Sequence, residues 1–145
     1  ATSFTGSTNI TGYLNIPVCI TTLSLVNSET SPYYDLINDT ISFDIDIQGA
    51  DLFLKEMQVS WSPDDSENLI KIEINPNSTG NIVIYPETST PISSGGPIDV
   101  INSTLSTGVY NVKLYFNSNI SGKTLEVIFN TDSGNYPVEI NEPPI

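Results

Sequence analysis

The sequence contains no arginine and no histidine, one cysteine and four lysines. Without arginine or a basic stripe there is nothing to neutralise a phosphate backbone, which argues against nucleic acid as a partner. Without histidine, and with Cys19 as the one thiol, zinc sites, Ser-His-Asp triads and Cys-His pairs cannot be built within the chain. No run of about 18 apolar residues occurs, nor a basic segment leading into an apolar one, so no membrane span or signal peptide is expected within it. A single cysteine closes no internal disulfide. Set in Val18-Cys19-Ile20, it reads as a small buried hydrophobe, with an intermolecular bridge as the alternative. Carboxylate chemistry and hard-cation binding stay open.

What is present suits one secreted domain. The 145 residues carry 17 Asp and Glu for a net charge of −13, and 38% are hydrophobic, enough for one core. Charged residues make up 14%, against about 25% in an ordinary soluble protein. Ser, Thr and Asn supply the rest of the polar surface. Hydroxyls and amides keep their hydration at any pH, so this surface suits an extracellular protein exposed to acid. The opening Ala1-Thr2-Ser3 fits a mature chain after signal cleavage. Five N-glycosylation sequons begin at Asn9, Asn38, Asn77, Asn102 and Asn119, most of them at expected strand ends or turns.

Alternation with a period of two recurs throughout, and no stretch has helical spacing. Strands are expected over 17–26, 40–48, 53–61, 70–74, 81–85, 98–105, 109–116, 125–129 and 136–140. Over 40–48, Ile41, Phe43, Ile45 and Ile47 share one face against Asp44, Asp46 and Gln48. Over 53–61, Phe53, Met57, Val59 and Trp61 are expected together against Glu56, Gln58 and Ser60. Turn residues separate the runs, as in Asn75-Pro76-Asn77 and Asp132-Ser133-Gly134. Nine or so short strands with one wet face each predict an all-β protein: a single immunoglobulin-like antiparallel β-sandwich over 15–145, or a jelly-roll-like variant of it.

Residues 1–14 differ. Phe4, Gly6, Thr8, Ile10, Gly12 and Leu14 line one face, mixing bulky knobs with small residues, and the other face is polar. The pattern suits an extended N-terminal arm lying in a groove, where glycine lets two backbones approach and Phe4, Ile10 and Leu14 fill pockets. The competing reading makes 8–14 the first strand of the domain and 1–7 a frayed end. As a donor strand, the arm would complete the sheet of the next copy and join subunits head to tail. The C-terminal tail is a poorer donor, because Pro137, Pro143 and Pro144 remove ladder N–H groups.

In its Ser/Thr/Asn richness, sequons and amphipathic arm, the chain resembles archaeal surface-filament subunits assembled by donor-strand complementation. That group includes the thread, bundling-pilus and cannula subunits, with camelysin-like fibre proteins as distant cousins. The stretch Tyr110-Asn-Val-Lys-Leu-Tyr-Phe through Ser121-Gly-Lys-Thr-Leu-Glu-Val-Ile-Phe is similar to the last strands of archaeal secreted sandwich domains. The resemblance implies a homopolymer of copies of this chain, built through the arm in an extracellular cell-surface filament. The absence of a long apolar N-terminal helix argues against a type IV pilin.

Other sites follow from the carboxylates and aromatics. Asp44 and Asp46 share a strand face, and Asp64, Asp65 and Glu67 crowd one turn. Mutual repulsion there would be relieved by a hard cation such as calcium, although neither segment has EF-hand spacing. No other cofactor is expected. Paired carboxylates also serve glycoside hydrolysis, but no cleft is marked out, and the chain is not expected to be an enzyme. The alternative function is a monomeric adhesion or carbohydrate-binding module, with Tyr13, Tyr33, Tyr34, Tyr85 and Trp61 stacking on glycans. Each of Lys55, Lys71, Lys113 and Lys123 lies in or beside a strand, where an isopeptide link to an Asn or Asp is conceivable.

Overall fold

A computed structural model of the protein describes residues 20–76, 82–85 and 92–142. The arm residues Phe4, Gly6, Thr8, Ile10, Gly12 and Leu14, together with Cys19, Asn9 and Asn77, lie outside these. Among the described residues ten strands are formed: β1 (Thr22–Val26), β2 (Tyr33–Asp35), β3 (Thr40–Gln48), β4 (Leu52–Ser62), β5 (Leu69–Pro76), β6 (Ile82–Tyr85), β7 (Pro97–Leu105), β8 (Gly108–Phe116), β9 (Thr124–Thr131) and β10 (Gly134–Ile140).

Two antiparallel sheets pack as a sandwich. One runs β1-β3-β8-β5-β6, with β2 also paired to β3, and the other runs β10-β9-β4-β7. The order β1-β3-β8-β5 opposite β10-β9-β4 is the ABED and GFC arrangement of immunoglobulin-like domains. Alternation drives it. Ile41, Phe43, Ile45 and Ile47 of β3 and Val112 and Leu114 of β8 are fully buried from one side. Met57 and Val59 of β4 and Val127 and Phe129 of β9 meet them from the other. At about 1.5–3 kcal/mol per fully buried aliphatic or aromatic side chain, this inner layer is the main source of stability.

Three details depart from the sequence pattern. Of the described part of the expected strand 17–26, which starts at Ile20, Thr22–Val26 form β1. Tyr33–Asp35, not expected as a strand, pairs with Thr40–Ser42 and covers the half of β3 that β1 leaves open. In β4 the register shifts between Leu54 and Glu56 in both of its pairings. This bulge reverses the alternation, so Leu52 and Leu54 enter the core and Phe53 stands half-buried on the opposite face from Met57.

The registers also define two poles. Thr22 lies opposite Gln48, beside the β3–β4 turn, so the described chain enters at the pole that also holds the β7–β8 and β9–β10 turns. Ile140 lies opposite Leu125, so the chain leaves at the other pole, with the β2–β3 and β4–β5 turns. The nine residues of β3 separate the two by about 27 Å.

The incoming chain crosses Gly49 closely. A Cβ built at Gly49 would stand 2.5 Å from the Ile20 carbonyl oxygen and 2.8 Å from Thr21 Cα, and φ there is +97°. Both the backbone conformation and the contact require glycine. Gly49→Ala is expected to lower the unfolding free energy by about 1–3 kcal/mol, read by chemical denaturation.

Candidate functional site

The acidic turn expected to attract a cation is organised around an ammonium instead. Lys123, at the start of β9, is buried with 4% of its side chain exposed. Its Nζ donates to Glu67 Oε2 at 2.7 Å, to Asp65 Oδ2 at 3.0 Å and to the Pro63 carbonyl at 2.7 Å. Glu67 is equally buried. Its Oε1 accepts from Trp61 Nε1 at 3.1 Å and from the Asp65 backbone N–H at 2.9 Å. The Trp61 ring meets Phe116 edge to face at 5.2 Å between centroids. Tyr34 closes the cluster from β2, its hydroxyl donating to the Lys123 carbonyl at 2.7 Å.

Burial alone would push the Glu67 carboxyl up and the Lys123 ammonium down. The hydrogen bonds and attraction between them win: Glu67 is held at about 2 and Lys123 above its ordinary range. Burial, then the charge of Glu142, pushes the Tyr34 hydroxyl well above the usual tyrosine range.

The carboxylates expected to attract a cation are engaged with protein donors. Around Asp64, Asp65 and Glu67 the repulsion is relieved by Lys123, while Asp64 faces solvent and caps the Ser66 N–H at 3.0 Å. Asp44 and Asp46 share the outer face of β3 as expected. Each already has a partner: Asp44 accepts from Asn111 Nδ2 at 2.9 Å and Asp46 from Gln48 Nε2 at 2.8 Å. Among the described residues no group of three or more His, Cys, Asp or Glu is arranged to hold a metal.

The lysines are used in pairs with carboxylates and rings. On the outer face of the β5–β8 pair, Tyr115 donates to Glu73 Oε1 at 2.6 Å and Lys71 Nζ lies 3.1 Å from Glu73 Oε2. The Lys71 and Lys113 ammoniums stand 4.8 and 5.2 Å from the Tyr115 ring centre. Burial, then Glu73, pushes the Tyr115 hydroxyl up to about 12. Of the four lysines considered for isopeptide links, Lys123 is the buried one, and it meets its acids as an ion pair.

The described members of the sugar-stacking set are spread between core and surface. Trp61 and Tyr34 are buried in the core, Tyr33 is exposed on β2, Tyr85 is partly buried, and Tyr13 lies outside the described residues. An open groove of about 210 Å³ lies on the outer face of the second sheet, lined by Ser60, Ser62, Glu126 and Glu139 among others. Glu126 and Glu139 face each other directly across the β9–β10 ladder, a repulsive pair. Of the described sequon residues, Asn38 and Asn119 sit in turns and Asn102 in the outer edge strand β7, all three exposed. Asn38 Nδ2 donates to Asp35 Oδ2 at 2.8 Å, and Asn119 Oδ1 accepts from the Ser121 N–H at 2.9 Å.

Edges complete the inventory. β7 pairs with β4 alone and β10 with β9 alone among the described residues. β7 is the longest of the marginal strands at nine residues, carries one charge, Asp99, and leaves Ile101 56% exposed. Sequence reasoning missed the Lys123 cluster, because Lys123 lies 56 to 60 residues from Glu67, Asp65 and Pro63 along the chain, and 89 from Tyr34. A lone lysine ahead of an apolar run was the one available sign. No protein-family model matches the chain, and no curated protein matches its sequence.

Lys123→Met is expected to destabilise the protein by about 3–5 kcal/mol, because it leaves the Glu67 carboxylate buried without its counter-charge. Asp65→Asn, at a position 70% exposed, is expected to cost under about 1 kcal/mol in the same denaturation assay. Calcium or a chelator is expected to leave the melting temperature of the wild type unchanged. A carboxylate held below its ordinary value of 4.5 adds stability above that pH, so the Glu67 contribution is expected to fade as the pH falls from about 5 through about 2. For Lys123 the direction is reversed: its contribution is complete below its ordinary value of 10.5 and is lost as the pH rises from there through its raised value. Melting curves across both ranges check the pair.

Proposed function

We propose that the protein is a non-catalytic structural subunit of an extracellular surface filament, polymerising head to tail by inserting residues 1–14 of one copy into the sheet of the next. The observation that carries this reading is polar. The described chain enters at one end of the sandwich, over Gly49, and leaves at the opposite end, beside Gly122, whose N–H donates to Glu142 Oε1. An arm leaving one pole would engage a neighbour stacked on that pole, and such a head-to-tail contact between unlike poles builds an open filament wherever its rotation does not close into a ring.

Two further features support it. An edge strand without a ladder partner exposes a row of N–H and C=O groups, and soluble monomers usually blunt such edges with lysine, proline or a bulge. β10 has Pro137 for this purpose. β7 has neither lysine nor an interior proline; a register shift between Asp99 and Ser103 interrupts its ladder with β4, and it is the longest marginal strand among the described residues open to an added strand. The alternating face from Phe4 to Leu14 supplies a matching donor, with main-chain bonds worth about 1 kcal/mol each in net terms and buried knobs in addition. N-glycans on Asn38, Asn102 and Asn119 would stand clear of the core. Burial of Trp61 and Tyr34 weighs against the glycan-stacking module.

The full chain is expected to form long, sedimentable filaments under negative-stain microscopy. A variant lacking residues 1–14 is expected to stay monomeric by light scattering while keeping a cooperative melt. Because the chain is strongly acidic, added salt is expected to lower the concentration needed for assembly. A full-length chain that stays monomeric, or a truncated one that polymerises, contradicts the reading.

A further inference from the structure

A buried ammonium needs one counter-charge, and Lys123 has two. Its side chain is 4% exposed, and its Nζ stands 2.7 Å from Glu67 Oε2 and 3.0 Å from Asp65 Oδ2. The two acids are not equivalent. Glu67 is 5% exposed, and its Oε1 already receives two donors, the Trp61 indole and the Asp65 backbone N–H. Asp65 reaches in from the β4–β5 turn with 70% of its side chain exposed. Among the described residues its carboxylate accepts from Lys123 alone. One acid is built into the core, and the other is laid across the nitrogen from outside.

That is the reactant geometry of an amide condensation. Groups fixed in contact and well oriented react as if at about 10⁵–10⁸ M, which offsets the disadvantage of condensing an acid and an amine in water. Closure also removes a charge whose burial is costly. The backbone of the nucleophile is fixed as well, because the Tyr34 hydroxyl donates to the Lys123 carbonyl at 2.7 Å. Lys71 meets Glu73 at a similar 3.1 Å, but 25% of its side chain is exposed, and a hydrated ammonium keeps its proton.

We infer that Lys123 and Asp65 condense to an intramolecular isopeptide bond, with Glu67 carrying the proton between them. Lys123 Nζ passes one proton to Glu67 Oε2 and attacks Asp65 Cγ. An Asp65 oxygen leaves as water, taking the proton held by Glu67 and a second one from the nitrogen. Glu67 returns to the carboxylate, and the nitrogen keeps one hydrogen. Ammonium and carboxylate thus become amide and water, with no oxidant or cofactor. The exposed side of Asp65 lets the water out. The ion pair described above is the state before closure. The link joins the β4–β5 turn to the start of β9 across 58 residues, and it stands independently of polymerisation.

Intact-mass spectrometry of the denatured full chain, made without glycosylation, tests the link. Wild type is expected to weigh one water less than its sequence. The loss is expected to develop after refolding and to stay absent while urea keeps the chain unfolded. Digestion is expected to give one branched peptide joining the segments around Asp65 and Lys123. Asp65→Ala, at an exposed side chain, is expected to fold and keep the full mass of its sequence, whereas Asp65→Asn loses one ammonia instead. Glu67→Gln is expected to slow closure about a hundredfold or more, and an unchanged rate in the folded variant overturns the proton-carrying role. A folded wild type that stays at full mass overturns the link. So does a water loss that persists in Lys123→Arg, which marks a cyclic imide at Asp65-Ser66.

Discussion

A strand has two faces and two edges, and a sandwich can satisfy only some of them. The inner faces of both sheets are buried against each other, and the inner edges are satisfied by ladders. Hydroxyls, amides and carboxylates hydrate the outer faces. The marginal edges are left over, and β7 is the longest of them among the described residues. Nothing in the composition blunts it: three of the four lysines are committed to Tyr115, Glu73, Asp65 and Glu67, and the fourth, Lys55, sits on the bulge of a central strand. An open edge in a protein with so few basic residues is the constraint on which the proposed β-addition rests.

The poles impose direction on that function. One pole is fixed by Gly49, over which the incoming chain passes at close range. The other is held by the Lys123–Glu67 pair, which joins the β4–β5 turn to the start of β9, with Tyr34 tying in β2. A buried pair like this is not the cheapest way to stabilise a core, since an apolar substitute of equal volume often does as well. Its worth lies in fixing the geometry of a pole where four loops converge. Despite burial, its hydrogen bonds and the Lys123 ammonium hold the Glu67 carboxyl below the ordinary carboxylate range, so the ion pair is kept charged in mild acid. That persistence accords with a surface built from groups that do not titrate.

Much of the sandwich was legible from period-two alternation, because a strand with one wet face writes its orientation into every second residue. Thr40–Gln48 and Gly108–Phe116 were readable almost to the residue for this reason. β2 was not, since three residues after Pro32 are too few to show a period. The β4 bulge was hidden because one extra residue shifts the phase silently: Phe53 has the parity of Met57 and still lies on the other face. The candidate site was less legible than the fold. Acidic residues at 64, 65 and 67 announced a charge problem, but the solution stood on a distant strand, and local sequence carries no record of it. Nor does alternation distinguish Ile37, held in solvent by Asp35, from the isoleucines of the core.

The central claim is that one copy supplies a strand to another. The most direct measurement is a cryo-electron-microscopy reconstruction of whatever the full-length chain assembles into. The account expects residues 1–14 to run extended along a marginal strand of the adjacent copy, with unlike poles in contact along the axis. Density that folds those residues back onto their own sandwich, with no strand crossing between copies, would contradict it.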